Sequence, residues 1–105
     1  MANDPLKSKV CSTYLRAVAD PDRLRIVQCL RGGPKSVTEI AADLKTVIAN
    51  ASHHLKFLRN AGLVTTTKQG RFVMYSLAAK FARASTSGSL DVLDFGCCRI
   101  ELPQE

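Results

Sequence analysis

The sequence predicts a mainly α-helical fold that carries a β-hairpin wing, which is a winged helix-turn-helix. Apolar residues recur at helical spacing in several segments before residue 62. A short capped helix is then followed, after a brief connection, by a longer helix with a polar and cationic face. Beyond Gly62 the apolar period falls to about two residues, and two strand-like segments flank a turn. The chain of 105 residues is interpreted as one domain, 1–105.

Proline-containing turns bound the first two helices. Asp4-Pro5 predicts the start of the first helix, because Asp caps helices and Pro suits a first turn. Asp20-Pro21 ends that helix near residue 19 and starts the second. The second helix is mostly apolar and is therefore expected to be central, and Gly32-Gly33-Pro34 ends it.

The next two helices form the helix-turn-helix. Ser36 and Glu39 have the spacing of a capping box, which starts a short helix that reaches Leu44. A longer recognition helix is predicted at about 47–61. At about 100° per residue, one of its faces is apolar and is expected to pack in the core; that face comprises Ile48, Ala51, Leu55 and Leu58. The opposite face is small, polar and cationic, and the helix contains no carboxylate. His54 lies at the border and is interpreted as a structural, hydrogen-bonded histidine.

A wing is predicted at about 63–77. The segment 63–67 is rich in β-branched residues, and 72–77 is a second strand. Between them Lys68 and Arg71 stand at the tip of a turn, in which Gly70 is able to adopt a positive φ.

The charge of the chain favours a polyanionic partner. Fifteen Lys and Arg against nine Asp and Glu give a net charge of +6. The basic excess lies in residues 1–77, whereas residues 78–105 carry three bases and four acids. Double-stranded DNA is the predicted partner. The candidate DNA-binding residues are Asn50, Ser52, His53, Lys56, Arg59, Lys68 and Arg71; the alternative for the lysines and arginines is an ordinary solvated surface.

Other classes of protein are disfavoured. The sequence has no apolar run of about 18 residues, so a membrane span is not expected. The start, MANDPLKSK, lacks the apolar core of a signal peptide, which favours the cytoplasm. Cytoplasmic cysteines are expected to be reduced thiols without a disulfide. An enzyme is not expected, because the sequence shows no carboxylate pair, Gly-rich phosphate loop or evident Cys/His nucleophile.

The C-terminal tail, 85–105, is expected to be sensory. It carries the vicinal pair Cys97-Cys98 directly after Gly96, which permits a turn. Adjacent thiols seldom arise from packing needs alone, so the pair predicts a soft-ion or redox site, with ordinary packing as the alternative. Cys11 and Cys29 are both interpreted as small core residues.

Four segments resemble the ArsR/SmtB family of small bacterial winged-helix repressors. They are ADPDRLRIVQCL at 19–30, SVTEIAADL at 36–44, ASHHLKFLRNAGLV at 51–64 and QGRFVMYSL at 69–77. The resemblance implies a homodimer that represses its own operon and leaves DNA when an inducer binds. Family inducers include zinc, nickel, cadmium, lead, arsenite and reactive sulfur species.

The resemblance also implies that the first and last elements form the dimer interface. Cys11 would then lie near Cys97 and Cys98, from its own or the partner chain. Three thiolates would suit an inducer such as As(III), Cd²⁺, Pb²⁺ or Hg²⁺; otherwise no cofactor is expected.

The chain departs from the family pattern at several positions. The third helix has no cysteine for an arsenite site, and the last segment has no His and is too short and interrupted for the long zinc-binding helix. Val47, Ile48 and Ala49 stand where Ser, Gln and Pro are usual. Cys29 falls one residue later than the cysteine of the reactive-sulfur type, which rotates it by about 100°.

These observations lead to one principal function and three alternatives. The principal prediction is a repressor that binds an imperfectly palindromic operator and is released by a soft metal or metalloid sensed at cysteines. The alternatives are a thiol redox or reactive-sulfur sensor, a winged helix that senses nothing, and a protein-interaction module that has lost DNA binding. The apolar residues at 47–49 favour the last alternative, and the cations of the recognition helix and wing disfavour it.

Overall fold

The computed structural model describes residues 8–81 and 90–103. The predicted start of the first helix at Asp4-Pro5 and the Ser-rich connection at 84–89 lie outside these residues. The described residues form four α-helices: α1 (Ser8–Val18), α2 (Pro21–Leu30), α3 (Val37–Leu44) and α4 (Ile48–Asn60). The strands are β1 (Lys35–Ser36), β2 (Val64–Gln69), β3 (Phe72–Leu77), β4 (Leu90–Asp94) and β5 (Arg99–Pro103).

Local capping fixes the starts of α2 and α3 where they were predicted. The side chain of Asp20 accepts hydrogen bonds from the backbone N–H groups of Asp22 and Arg23. At α3, the Ser36 hydroxyl accepts from the Glu39 N–H at 3.3 Å, and the Glu39 carboxylate accepts from the Ser36 N–H at 2.9 Å. The capping box is thereby confirmed, and it satisfies two backbone N–H groups at the start of α3.

The wing is an antiparallel hairpin whose register runs from Val64 opposite Leu77 to Gln69 opposite Phe72. Gly70 has a φ of 61° at the tip, as its position in the turn predicted. The two-residue strand β1, which was not predicted, pairs with the other edge of β3. The wing is therefore joined through backbone hydrogen bonds to the start of α3.

The core contains Ala51, Leu55 and Leu58 of α4, all without exposed surface, as the helical wheel predicted. The prediction for Ile48 is wrong, since half of its side chain is exposed. Ile48 is the first residue of α4, and burial of this face begins one turn later at Ala51. The first turn of α4 thus projects beyond the helices that cover the rest of its apolar face.

The tail folds back on the first helix as a second hairpin, β4–β5, preceded by a 3₁₀ turn at Ala79–Phe81. Phe95 lies in an aromatic cluster with Tyr14 and Phe81, with ring centroids 5.2–5.6 Å apart. Gly96 takes a φ of 86° in the β4–β5 connection, which confirms the predicted turn. The hairpin belongs to the same hydrophobic cluster as the helices, and within the described residues no helix is long and apolar enough to cross a membrane.

Candidate nucleic-acid interface and cysteine cluster

The outer face of α4 is the surface that the sequence predicted. Ser52, His53, Lys56 and Arg59 are all exposed on it. The side chains that alternate with them, Leu55 and Leu58, are buried, so the helix is fixed with this face toward solvent. A polar and cationic helix face of this kind is complementary to phosphates and base edges.

The wing extends the cationic surface. Lys68 and Arg71 are exposed at its tip. Between α4 and the wing runs a groove lined by Ser52, Lys56, Arg59, Asn60 and Tyr75. A strand of phosphates lying against this groove would meet two cations of α4 and would pass toward the two cations of the wing tip.

Asn50 is placed differently from the other candidates. It is partly buried, and its side-chain amide donates to the Thr46 hydroxyl at 3.0 Å and to the Asp22 carboxylate at 3.3 Å. The structure therefore counts against Asn50 as a base contact, because its amide is used inside the molecule. Its contacts instead tie the first turn of α4 to the first turn of α2.

The first turn of α4 presents apolar side chains to solvent. Val47 is 69% exposed and Ile48 is 50% exposed. Val47 is the N-cap residue and provides no side-chain hydrogen bond to the helix. The polar residues usual in the family at this turn are absent from the sequence, and two exposed β-branched side chains stand in their place.

His54 lies beside the carboxylates of Asp20 and Asp22. The sequence did not predict this proximity, because both acids precede His54 by more than 30 residues. Its side chain is 12% exposed, its Nε2 lies 3.5 Å from an Asp22 oxygen, and its Nδ1 lies 3.9 Å from an Asp20 oxygen. The buried Nδ1 has no hydrogen-bond partner among the described residues. His54 is thus at the core border as predicted, but among the described residues its buried Nδ1 lacks the hydrogen bond that was expected of a structural histidine.

The neighbours of Asp20 change the pKa of its carboxyl group. The pKa of the Asp20 carboxyl is lowered below its usual 3.8, mainly by the hydrogen bond from the Arg23 N–H. The charge of a protonated His54 and the hydrogen bond from the Asp22 N–H lower it further, while partial desolvation acts in the opposite direction. Asp20, Asp22 and His54 place one potential ligand atom each within 4.8 Å of one another, so they form a carboxylate and imidazole set at the α1–α2 turn.

Three cysteines meet where the tail contacts α1. Cys11 and Cys97 form a disulfide with their Cα atoms 5.9 Å apart, and the Cys98 sulfur lies 3.2 Å from the Cys11 sulfur. The proximity of Cys11 to the tail pair is as predicted, and it arises within one chain. The expectation of reduced thiols is wrong for this structure, because it rested on the cell compartment, whereas pairing depends on distances that only the fold establishes.

The chemistry of this cluster depends on its oxidation state. The three sulfur atoms lie within 4.8 Å of one another, which is compact enough for three thiolates to share one soft ion. A disulfide sulfur is not a thiolate ligand, so this donor set exists only after the Cys11–Cys97 bond is reduced. Cys29 lies apart from the cluster and packs, partly buried, against the core, as predicted.

Comparison with known proteins agrees with the fold. The model of the family "Bacterial regulatory protein, arsR family" matches residues 20–66. The chain is 44% identical over 70 residues to the HTH-type transcriptional regulator NmtR of Mycobacterium tuberculosis, a match that covers 67% of this chain and 58% of NmtR. It is 30% identical over 85 residues to the transcriptional repressor SdpR of Bacillus subtilis, covering 81% of this chain and 94% of SdpR.

A solved structure is similar over most of the chain. The homodimeric winged helix-turn-helix DNA-binding domain of Mb0332 from Mycobacterium bovis superposes with a TM-score of 0.68 and 27% identity, covering 78% of this chain and 80% of that one. The chain spans only 58–59% of the length of the first relatives that it matches. The segment that the family model matches contains the capped helices and α4 together. The chain belongs to the ArsR family of bacterial regulatory proteins.

Proposed function

We propose that this protein is a sequence-specific DNA-binding repressor that is released from its operator by an inducer sensed at the cysteine cluster. The observation that carries the proposal is the outer face of α4, where Lys56 and Arg59 are exposed beside a wing that ends in Lys68 and Arg71. No carboxylate interrupts α4. Such a repressor acts on chromosomal DNA in the cytoplasm.

In the proposed complex α4 lies in the major groove and the wing contacts the flanking backbone. Ser52 and His53 are exposed on the face that would meet base edges, while the four cations contact phosphates. Two copies of α4 about 34 Å apart would enter successive major grooves of an imperfect palindrome.

The dimer needed for this geometry is proposed to form through α1. Val10 and Leu15 are 49% and 40% exposed on that helix, although both belong to an apolar repeat. Association of two copies would remove this apolar surface from water, and such burial is a general driving force for dimers of small chains.

The DNA-binding proposal is tested with a fluorescent duplex from the region upstream of the gene. We expect tight binding that weakens steeply with salt, because displaced counterions dominate such affinity. Replacing Lys56 and Arg59 with Ala should weaken binding strongly. The matched control is Arg99→Ala, which removes an exposed cation of the tail hairpin. Equal affinity of the two variants, or binding indifferent to salt, would refute the proposal.

The sensor is proposed to be the cluster Cys11, Cys97 and Cys98. A dithiol reductant would convert the Cys11–Cys97 disulfide to two thiols and would itself become a disulfide. The three deprotonated sulfurs would then hold As(III), Cd²⁺, Pb²⁺ or Hg²⁺. Because the cluster joins α1 to the tail, ion binding would act at the proposed dimer interface and shift the spacing of the two α4 helices.

A second candidate function is favoured by the disulfide itself. In a thiol redox sensor, formation of the Cys11–Cys97 disulfide from the two reduced thiols would be the signal, without any ion. The sulfur atoms, the location and the effect on α1 would be the same, but the agent would be an oxidant or a reactive sulfur species that takes up the two electrons lost by the thiols.

One experiment separates the two sensors. The reduced protein–DNA complex is titrated with arsenite, with Cd²⁺ and, separately, with a persulfide donor, in the parent and in the Cys97→Ser/Cys98→Ser variant. Release by arsenite or Cd²⁺ in the parent alone would support ion sensing, and release by the persulfide donor in the parent alone would support redox sensing. Release that persists undiminished in the variant would refute the cluster as the sensor.

A further inference from the structure

The first turn of α4 exposes hydrocarbon outside the hydrophobic core. Val47 is 69% exposed and Ile48 is 50% exposed, and neither belongs to the core cluster. Neither caps the helix, because Val47 makes no capping hydrogen bond. Exposed β-branched residues at successive positions of one turn are therefore available to a partner.

The surroundings of this turn indicate the chemistry of that partner. The neighbouring exposed residues along α4 are small, polar or basic: Ala49, Ser52, His53 and Lys56. Lys45, which precedes the helix, is also exposed. Two carboxylates of adjoining elements are engaged within the molecule, since Asp22 accepts from Asn50 and Asp43 pairs with Lys35. The partner is therefore a polyanion that also presents apolar groups.

Double-stranded DNA meets both requirements in its major groove. The only apolar group that base pairs present there is the C5-methyl of thymine. An A-form RNA duplex lacks this methyl, and its major groove is too narrow for side chains to read. Resting on the DNA-binding function proposed above, we propose that Val47 and Ile48 contact thymine methyl groups and so determine part of the operator sequence.

The turn is held in position for such a contact. The Asn50 amide donates hydrogen bonds to the Thr46 hydroxyl, in the connection into α4, and to the Asp22 carboxylate of α2. The branched side chains are also restricted at χ1, so that placing them against a methyl group costs little further conformational entropy. Asn50 is then a positioning residue that orients the two hydrocarbon readers.

The experiment begins with the full chain and a pool of random-sequence duplexes, from which bound DNA is selected. We expect thymine to be enriched at fixed positions in each half-site. The selected duplex is then synthesised with deoxyuridine in place of those thymidines, which removes only the methyl groups. Binding should weaken about fourfold for each contacted methyl, from the usual gain on burying one such group.

Variants assign the effect to the residues. Val47→Ser/Ile48→Ser should bind the thymine and uracil duplexes equally, because its side chains no longer gain from a methyl contact. Val73→Ser, which alters an exposed β-branched residue of the wing, should keep the full difference. Thermal unfolding and circular dichroism of each variant would establish that it is folded.

The outcomes separate this inference from the proposed function. Absence of DNA binding by the parent at low salt would overturn the proposed function and with it the inference. Parent binding that is insensitive to uracil would overturn the inference alone. A uracil effect that persists in the folded Val47→Ser/Ile48→Ser variant would also overturn it, since another residue would then read the methyls.

Discussion

The Arg31 guanidinium donates a 2.9 Å hydrogen bond to the backbone carbonyl of Val92, 61 residues further along the chain. Arg31 directly follows α2, which packs at the centre of the helical layer, and Val92 lies in the middle of β4. A charged donor thus fixes the tail hairpin to the end of α2 at a point separate from the cysteine cluster.

Replacing Arg31 with Ala should lower the free energy of unfolding by about 1.5–3 kcal/mol, the range for hydrogen bonds to charged groups. Urea denaturation without DNA provides the measurement. Arg59→Ala is the control, since Arg59 is exposed on α4 and should change stability little. Equal stability of the two variants would mean that the tail is held without Arg31.

Leu58 should be among the costly core positions. It has no exposed surface, and Leu58→Ala should reduce the free energy of unfolding by about 2–5 kcal/mol by leaving a cavity. Ile48→Ala removes hydrocarbon from a half-exposed side chain on the same helix and should cost much less. Thermal unfolding compares the two, and a reversed order would show that α4 is rotated from the orientation described.

The Asp20 cap should make stability depend on acid pH. The pKa of its carboxyl is lowered in the folded protein, so its stabilising contribution is fully present above the unfolded pKa of about 3.9. That contribution is lost as the pH falls through the lower folded pKa. Asp20→Asn retains a capping side chain but does not titrate. The stability advantage of the parent over this variant should therefore shrink below about pH 4.

Urea denaturation between about pH 2 and pH 7 would measure that difference, across the range in which carboxyl groups titrate. Asp20→Ala, which also removes the cap, should cost about 0.5–2 kcal/mol at neutral pH. A gap between the parent and Asp20→Asn that stays constant over the whole range would contradict the lowered pKa.

Reduction should destabilise the parent. The Cys11–Cys97 bond joins residues 86 positions apart, and such cross-links typically contribute about 2–4 kcal/mol. Dithiothreitol should lower the melting temperature of the parent and leave that of Cys11→Ser/Cys97→Ser unchanged. Cys29→Ser retains the bond and should respond to the reductant as the parent does. A parent that melts identically with and without dithiothreitol would exclude a stabilising role for the bond.

Arg71 at the wing tip should contribute affinity without sequence preference. Arg71→Ala should weaken binding to every duplex alike and lower the salt slope by about one, the value for one lost phosphate contact. Lys9→Ala, an exposed cation of α1, is the comparison. Fluorescence anisotropy over a range of salt measures both variants. A change in sequence preference with an unchanged slope would assign Arg71 to base reading instead.

The helices and the wing were predictable because their signals are local. The Asp20 cap, the box at Ser36 and Glu39, and Gly70 each act within four residues of the structure that they determine. The two-residue strand β1 was not predictable, since its existence depends on β3, which is remote in sequence.

The candidate site was predicted less completely because its details depend on tertiary distances. A helical wheel assigns Ile48 to the apolar face, but it does not show that the packed neighbours end one turn later. Asn50 was assigned to DNA because the wheel omits Asp22, which binds its amide. The disulfide depends on where the tail returns to α1, and no local pattern of the sequence encodes that.

The Cys11–Cys97 bond also changes the covalent topology of the chain from linear to cyclic. It closes a covalent ring from residue 11 to residue 97 that contains α2, α3, α4 and the whole wing. A single backbone cut inside that ring would leave one covalently connected molecule, and the fragments would separate only when the bond is reduced. While oxidised, the protein therefore keeps α4 and the wing on one closed loop, and reduction returns them to a linear chain.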